Sequence, residues 1–176
     1  GGLILRELAA GRSVAVVDAT RGEAGSFGDP ETRSVECEAS TRVMGLQIRE
    51  NLDLPDAGLV DNADLRAALV GAIRLHRPDT LLVPHPEDPH PDHAALGLAG
   101  RAAAFLAGLA NTGFEGERHR PRLVIHKLGM TPLQPDFVVP VDDVWATKRA
   151  ACECYVSQVV DDQGSGRLPG GRTILD

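Results

Sequence analysis

The alternation of short β-branched apolar runs with longer helical patterns limits the folds open to this chain. Ser13 to Asp18 reads Ser-Val-Ala-Val-Val-Asp and Thr80 to Val83 reads Thr-Leu-Leu-Val, with a weaker run from Ile48 to Leu52 between them. Short apolar runs of this kind suit buried parallel strands. The segments around them have helical spacing. Residues 3–10 form an apolar pattern that stops at Gly11. Residues 31–44 place Val35, Ala39 and Val43 on one stripe, closed by Gly45. Residues 61–76 repeat Leu65, Leu69, Ala72 and Ile73 at helical spacing, ending before Pro78. Residues 91–109 carry Leu96, Ala99, Ala103 and Leu106, with Ala110 continuing the stripe just beyond. Residues 123–125 and 137–139 read as further strands and 142–155 as a last helix. Strands alternating with helices predict an α/β layer fold around a mostly parallel sheet. The 176 residues suffice for a single domain with a real core.

In such sheets ligands bind beyond the carboxyl ends of the strands. The loops 20–30, 54–59 and 84–93 fall at those ends. Bulk properties narrow what could bind there. A net charge of −7 and the lack of a strong basic cluster exclude a general nucleic-acid binder. The short run Arg118-His119-Arg120-Pro121-Arg122 reads as a solvated loop before a strand. No apolar stretch approaches the ~20 residues of a membrane span, and no secretory signal is visible. Three cysteines form no disulfide framework, and Cys152 and Cys154 read as inert thiols, so a cytoplasmic setting is expected.

The third loop carries the chemistry. His85 to His93 holds three of the six histidines, interleaved with Glu87, Asp88 and Asp92. Pro91 suits the first helical position, which puts His90 at the cap and His93 one turn in. Residues three apart share a helix face, so both imidazoles can address one site. Asp92 lies at the positive end of the helix, where a carboxylate can hold a neighbouring imidazole in one tautomer. Zinc is the natural metal for imidazole and carboxylate donors, and a zinc-bound water becomes a nucleophile near neutral pH. One such cluster does not complete a three-ligand site. Two other readings stay open. One is a sugar- or nucleotide-binding Rossmann-like module without hydrolysis: Gly22 to Gly28 follows a strand as a nucleotide-binding loop would, but its Gly-x-x-Gly-x-x-Gly spacing departs from the dinucleotide fingerprint. Passive metal storage by residues 85–93 would make His85 and His93 equally important.

An ordered set of short motifs resembles the LmbE/PIG-L zinc deacetylases, and among them the bacillithiol-biosynthesis deacetylases of N-acetylglucosaminyl-malate. The set runs through Gly1-Gly2, Asp18-Ala19-Thr20-Arg21-Gly22-Glu23, Arg33 to Glu36, Glu50 to Leu59, His90-Pro91-Asp92-His93 and Tyr155-Val156-Ser157-Gln158. The resemblance implies a Rossmann-like three-layer sandwich and hydrolysis of an acetamido sugar. It implies His93 as a zinc ligand, His90 as the acid that stabilises the oxyanion and protonates the amine, and Asp92 as the partner of His90. It places Arg33 and Asp56 against the sugar. Without it, Arg33 reads as an i,i+3 partner of Glu36 and Asp56 as a turn residue. The family's His-Pro-Asp-Asp-x-Glu segment, which carries two further zinc ligands and the general base, would precede Gly1. The last strand and helix would follow Asp176. The expectation is therefore a fold incomplete at both ends, with the 176-residue chain inactive or nearly so. Pro89 stands where many relatives have arginine. The expected partner is a small amino-sugar substrate, with no nucleic acid or membrane, and the protein is expected to self-associate as a homo-oligomer.

Overall fold

The computed structural model describes residues 1–25, 27–129, 132–159, 167–168 and 172–173. The chain divides into two compact units, residues 1–54 with 137–176, and residues 55–136.

The first unit contains helix α1 (Gly2–Ala9), strand β1 (Ala15–Asp18), helix α2 (Pro30–Met44) and strand β2 (Ile48–Asn51). A 3-10 turn (Asp142–Val144) leads into α5 (Trp145–Glu153) and α6 (Val156–Val159). Strands β5 (Arg167–Leu168) and β6 (Arg172–Thr173) form an antiparallel pair. β1 and β2 pair in parallel, Ala15 opposite Ile48 through Asp18 opposite Asn51. Asp29 caps α2 by accepting from the Thr32 amide at 2.7 Å, and Pro30 follows it. Gly45 closes the helix at φ +69, as its position predicts.

The buried face of α2 is not the expected one. Val35 is 64% exposed, and Glu36 and Ser40 are buried instead. The reason is polar. The Glu36 carboxylate accepts from the Ser157 amide at 2.6 Å and from its hydroxyl at 2.8 Å, tying α2 to α6. A buried carboxylate is tolerable only with such partners. Phe137-Val138-Val139 does not form a strand. These residues are largely exposed, and Pro140 removes the next ladder donor. The expected terminal element at 173–175 falls mostly outside the described residues, since Ile174 to Asp176 are not described.

The second unit contains α3 (Ala63–His76), β3 (Thr80–Pro84), α4 (Pro91–Leu106) and β4 (Leu123–Lys127). β3 and β4 pair in parallel, Thr80 opposite Leu123 through Pro84 opposite Lys127. The Asn62 side chain caps α3 through the Leu65 amide at 2.9 Å. α3 packs on α4, and α4 covers both strands. The core is Val70, Ile73, Ala103 and Ala107, with Leu69, Leu81, Leu106 and Phe114 against it. Each fully buried Val or Ile side chain contributes roughly 1.5–3 kcal/mol. α4 meets β3 through glycine: a Cβ on Gly97 would stand 2.7 Å from the Pro84 carbonyl oxygen, and one on Gly100 2.7 Å from Val83 Cγ1. The strands are less buried than their composition suggests. Leu82 is 38% exposed and Leu123 51%, because a two-stranded sheet has only edges.

α4 ends three residues earlier than the apolar pattern predicts, and Ala110 is exposed. The buried Arg74 guanidinium from α3 collects the carbonyls just beyond the last residue of α4. Nε donates to Ala107 O at 3.2 Å and Nη2 to Leu109 O at 2.8 Å. Nη1 donates to the carbonyls of Phe114 and Gly116, so one cation closes the helix and fastens the following loop. These features give the α/β architecture with parallel strand pairs and covering helices.

Candidate functional site

The strand–loop–helix passage β3–α4 builds the site in the second unit. β3 ends at Pro84, residues 85–89 turn, and His90 caps α4 ahead of Pro91. His90 and His93 share a helix face, and their rings stack with centroids 4.6 Å apart and planes 25° apart.

The hydrogen bonds distinguish the two rings. His90 Nδ1 accepts from the Asp92 amide at 3.2 Å. An accepting Nδ1 puts the neutral ring's proton on Nε2. His93 Nδ1 lies 3.2 Å from Asp88 Oδ1. A carboxylate only accepts, so this Nδ1 carries the proton and Nε2 keeps its lone pair. The stacked rings thus present one N–H donor and one basic nitrogen.

Asp88 is the residue that sequence reasoning passed over as one of several interleaved acids. It is buried, and its Oδ1 also accepts from the His90 amide at 3.0 Å. Burial pushes its carboxyl up. The bonds from the His90 amide and from His93, with the His93 and Lys127 charges, outweigh that and hold it below the ordinary carboxylate range. Gly129 leaves room for it, since a Cβ there would collide with Asp88 Oδ2. Asp88 and His93 are five apart, a spacing that no helical or strand periodicity marks.

Asp92 is buried, and its carboxylate is turned to the 55–59 loop. Oδ2 accepts from the Ala57 amide at 2.8 Å and Oδ1 from the Leu59 amide at 3.1 Å. It meets His90 through its backbone amide. Ala57 holds φ +57, left-handed for a residue with a Cβ, at a cost of about 1–2 kcal/mol. Two bonds to a charged acceptor, each worth about 1.5–3 kcal/mol, more than offset it. Asp56 sits half-buried on this loop.

His85 Nδ1 accepts from the Glu87 amide at 3.1 Å, and its ring meets His126 edge-on at 5.8 Å. His126, on β4, was not assigned from sequence. Among the described residues no three His, Cys, Asp or Glu side chains gather as a metal site. His93 Nε2 is one suitable donor. One donor does not make a zinc site, so the described residues alone do not fit the complete metal centre.

Arg33 lies on α2 in the first unit. Its guanidinium stands 5.8 Å from the Tyr155 ring centroid. It makes no ion pair with a described carboxylate, and the local partner considered for it, Glu36, is committed to Ser157. The glycine loop packs around it. Gly22 has φ +72 and Gly28 φ +75, and Cβ atoms there would meet Arg33 and Ser157. The glycines are explained by this packing. The α2 terminus behind them is occupied by Asp29, which is unsuited to a phosphate. Next to it, Arg49 Nε donates to Asp18 Oδ2 at 2.7 Å and Nη2 to the Tyr155 hydroxyl at 3.1 Å. Burial pushes the Tyr155 phenol up, against the pull of Arg49.

Comparison with known proteins adds to this geometry. The family model described as PIG-L, GlcNAc-PI de-N-acetylase, matches residues 1–104. A diacetylchitobiose deacetylase of Thermococcus kodakarensis is 30% identical over 149 residues, covering 81% of this chain and 55% of the relative. The chain thus spans about half the length of that curated relative. A conserved protein of Thermus thermophilus superposes with a TM-score of 0.86 at 39% identity, over 90% of this chain and 72% of the other. An N,N'-diacetylchitobiose deacetylase of Pyrococcus horikoshii gives 0.79 at 25%, over 92% and 65%. The 4-carboxy-2-hydroxymuconate hydratase of Pseudomonas putida gives 0.79 at 22%, over 89% and 72%, a likeness of fold alone.

Proposed function

Because the chain belongs to the PIG-L family of de-N-acetylases, we propose that its protein hydrolyses the acetamido group of an N-acetylglucosamine derivative. The observation that carries this reading is the pair of stacked imidazoles with opposite Nε2 roles. Water's oxygen forms a bond to the acetyl carbon, the C–N bond breaks, and acetate and the free amine leave. His90 Nε2–H is the donor for the oxyanion that develops on the acetyl oxygen. The same nitrogen passes a proton to the departing amine when the ring is the imidazolium, a form in which Nδ1 no longer accepts from the Asp92 amide. His93 Nε2, held by Asp88, is the donor offered to a divalent metal, zinc in the family resemblance. Bound zinc would supply Lewis-acid polarisation and an activated water. The remaining donors and the base are not assigned among the described residues.

Arg33 and Asp56 are proposed as substrate contacts. A cation at Arg33 without a described ion-pair partner suits an anionic aglycone, such as the malate of N-acetylglucosaminyl-malate in bacillithiol biosynthesis. Among the described residues no helix is long and apolar enough to cross a membrane. Cys37, Cys152 and Cys154 are free thiols, which suits a cytoplasmic enzyme. Self-association as a homo-oligomer remains part of the proposal, with sedimentation as its check.

The test is acetate release from N,N'-diacetylchitobiose and N-acetylglucosaminyl-malate with added zinc. The expected result is release by the unsubstituted protein, abolished in His93→Ala and reduced at least 100-fold in His90→Ala. Equal zinc loss in His85→Ala and His93→Ala without any acetate release would favour metal storage. No acetate from either substrate sinks the deacetylase reading.

A further inference from the structure

We infer that Asp92 is a positioning residue whose carboxylate latches the 55–59 loop to the first turn of α4, fixing the loop that presents Asp56 to the sugar. The substrate half of this inference rests on the deacetylase reading. The latch itself rests on geometry. Both Asp92 carboxylate oxygens are taken by main-chain donors two residues apart, Ala57 at 2.8 Å and Leu59 at 3.1 Å. The residue is 4% exposed, so no water competes strongly for those oxygens. Between the two donors the chain turns through Ala57 at φ +57, which an L residue rarely holds without support. A carboxylate in a first helical turn is itself favoured there. A single group therefore joins the loop after β2 to the helix that carries His90 and His93.

The sequence motif alone gives Asp92 a different task, as the side-chain partner of His90. In the structure His90 Nδ1 accepts a hydrogen bond from the Asp92 backbone amide, which any residue but proline at that position would supply. The two assignments separate experimentally. If Asp92 serves His90, its loss lowers kcat and moves the pH profile. If it latches the loop, its loss frees two particular amides and weakens sugar binding.

Amide hydrogen exchange on the unsubstituted chain comes first, and needs no activity. Ala57 and Leu59 are expected to be protected although the loop is largely at the surface. Free exchange of both in the unsubstituted protein overturns the latch, whatever a variant does. In Asp92→Asn, one accepting oxygen becomes an NH2 group, and exchange at Ala57 and Leu59 should rise at least tenfold while the later turns of α4 hold. Adding Ala57→Gly, which removes the left-handed cost, should restore part of that protection. Unchanged exchange at both amides in a folded Asp92→Asn chain also overturns the proposal. With the acetate-releasing protein and N,N'-diacetylchitobiose, the loss in Asp92→Asn should fall mainly on KM, about tenfold. A loss confined to kcat, with a displaced pH profile, returns Asp92 to His90 and refutes the positioning role. Absence of acetate release from the unsubstituted protein refutes the deacetylase reading and leaves the exchange result to decide the latch.

Discussion

Replacing Asp88 with alanine tests the claim that a buried carboxylate organises the histidine pair. The side chain accepts two bonds, from the His90 amide at 3.0 Å and from His93 Nδ1 at 3.2 Å. A bond to a charged group contributes about 1.5–3 kcal/mol net. The His90 bond counts nearly in full, because its part-buried amide has no ready substitute. The His93 bond counts for less, since that side chain is 45% exposed and can be rehydrated. Removing the acid also recovers its cost of burial. The balance is a destabilisation of about 2 kcal/mol for Asp88→Ala and about 1 kcal/mol for Asp88→Asn, which keeps one accepting oxygen. Urea unfolding followed by circular dichroism reads this as a lower midpoint at unchanged slope. The pH dependence follows from the direction of the shift. The folded carboxyl lies below its unfolded value, so its stabilisation is fully present above the unfolded value of ~3.9 and is lost as pH falls through the lowered folded value. The gap between the native protein and Asp88→Ala should therefore be full at pH 6 and shrink as pH falls below 4. A gap under about 0.5 kcal/mol at pH 6 refutes the reasoning about the bonds. A gap that stays constant down to pH 2 refutes the role of charge.

Other sites carry similar tests. Gly129→Ala puts a methyl group into the Asp88 carboxylate, and thermal melting should show a loss of about 1–3 kcal/mol. Gly97→Ala drives a Cβ to 2.7 Å from the Pro84 carbonyl oxygen, where backbone must move; about 2–3 kcal/mol should be lost, with any acetate release falling as the 84–93 loop shifts. Arg49→Met strips Asp18 and the Tyr155 hydroxyl of their donor in a partly exposed site; a loss of about 2 kcal/mol in urea is expected, less than a fully buried pair would show.

The order of elements was legible because helical and strand periodicities differ, and local capping signals fixed many boundaries. Gly45 at φ +69 and Pro91 behind the His90 cap lie where the sequence places them. The clustering of His90 and His93 was also legible, since helix geometry brings residues three apart onto one face. Long-range polar pairing was not. Val35 reads as an inward residue until Ser157, far along the chain, claims Glu36 and turns the helix. The end of α4 depends on Arg74, a residue of another helix. In the histidine cluster, sequence determined which side chains meet, because that follows from backbone repeat alone. Tertiary structure decided what each acid does there: Asp88 faces His93, and the Asp92 carboxylate faces the 57–59 loop. A buried carboxylate takes whichever donors the fold brings within reach, and those donors come from segments whose approach no local pattern encodes.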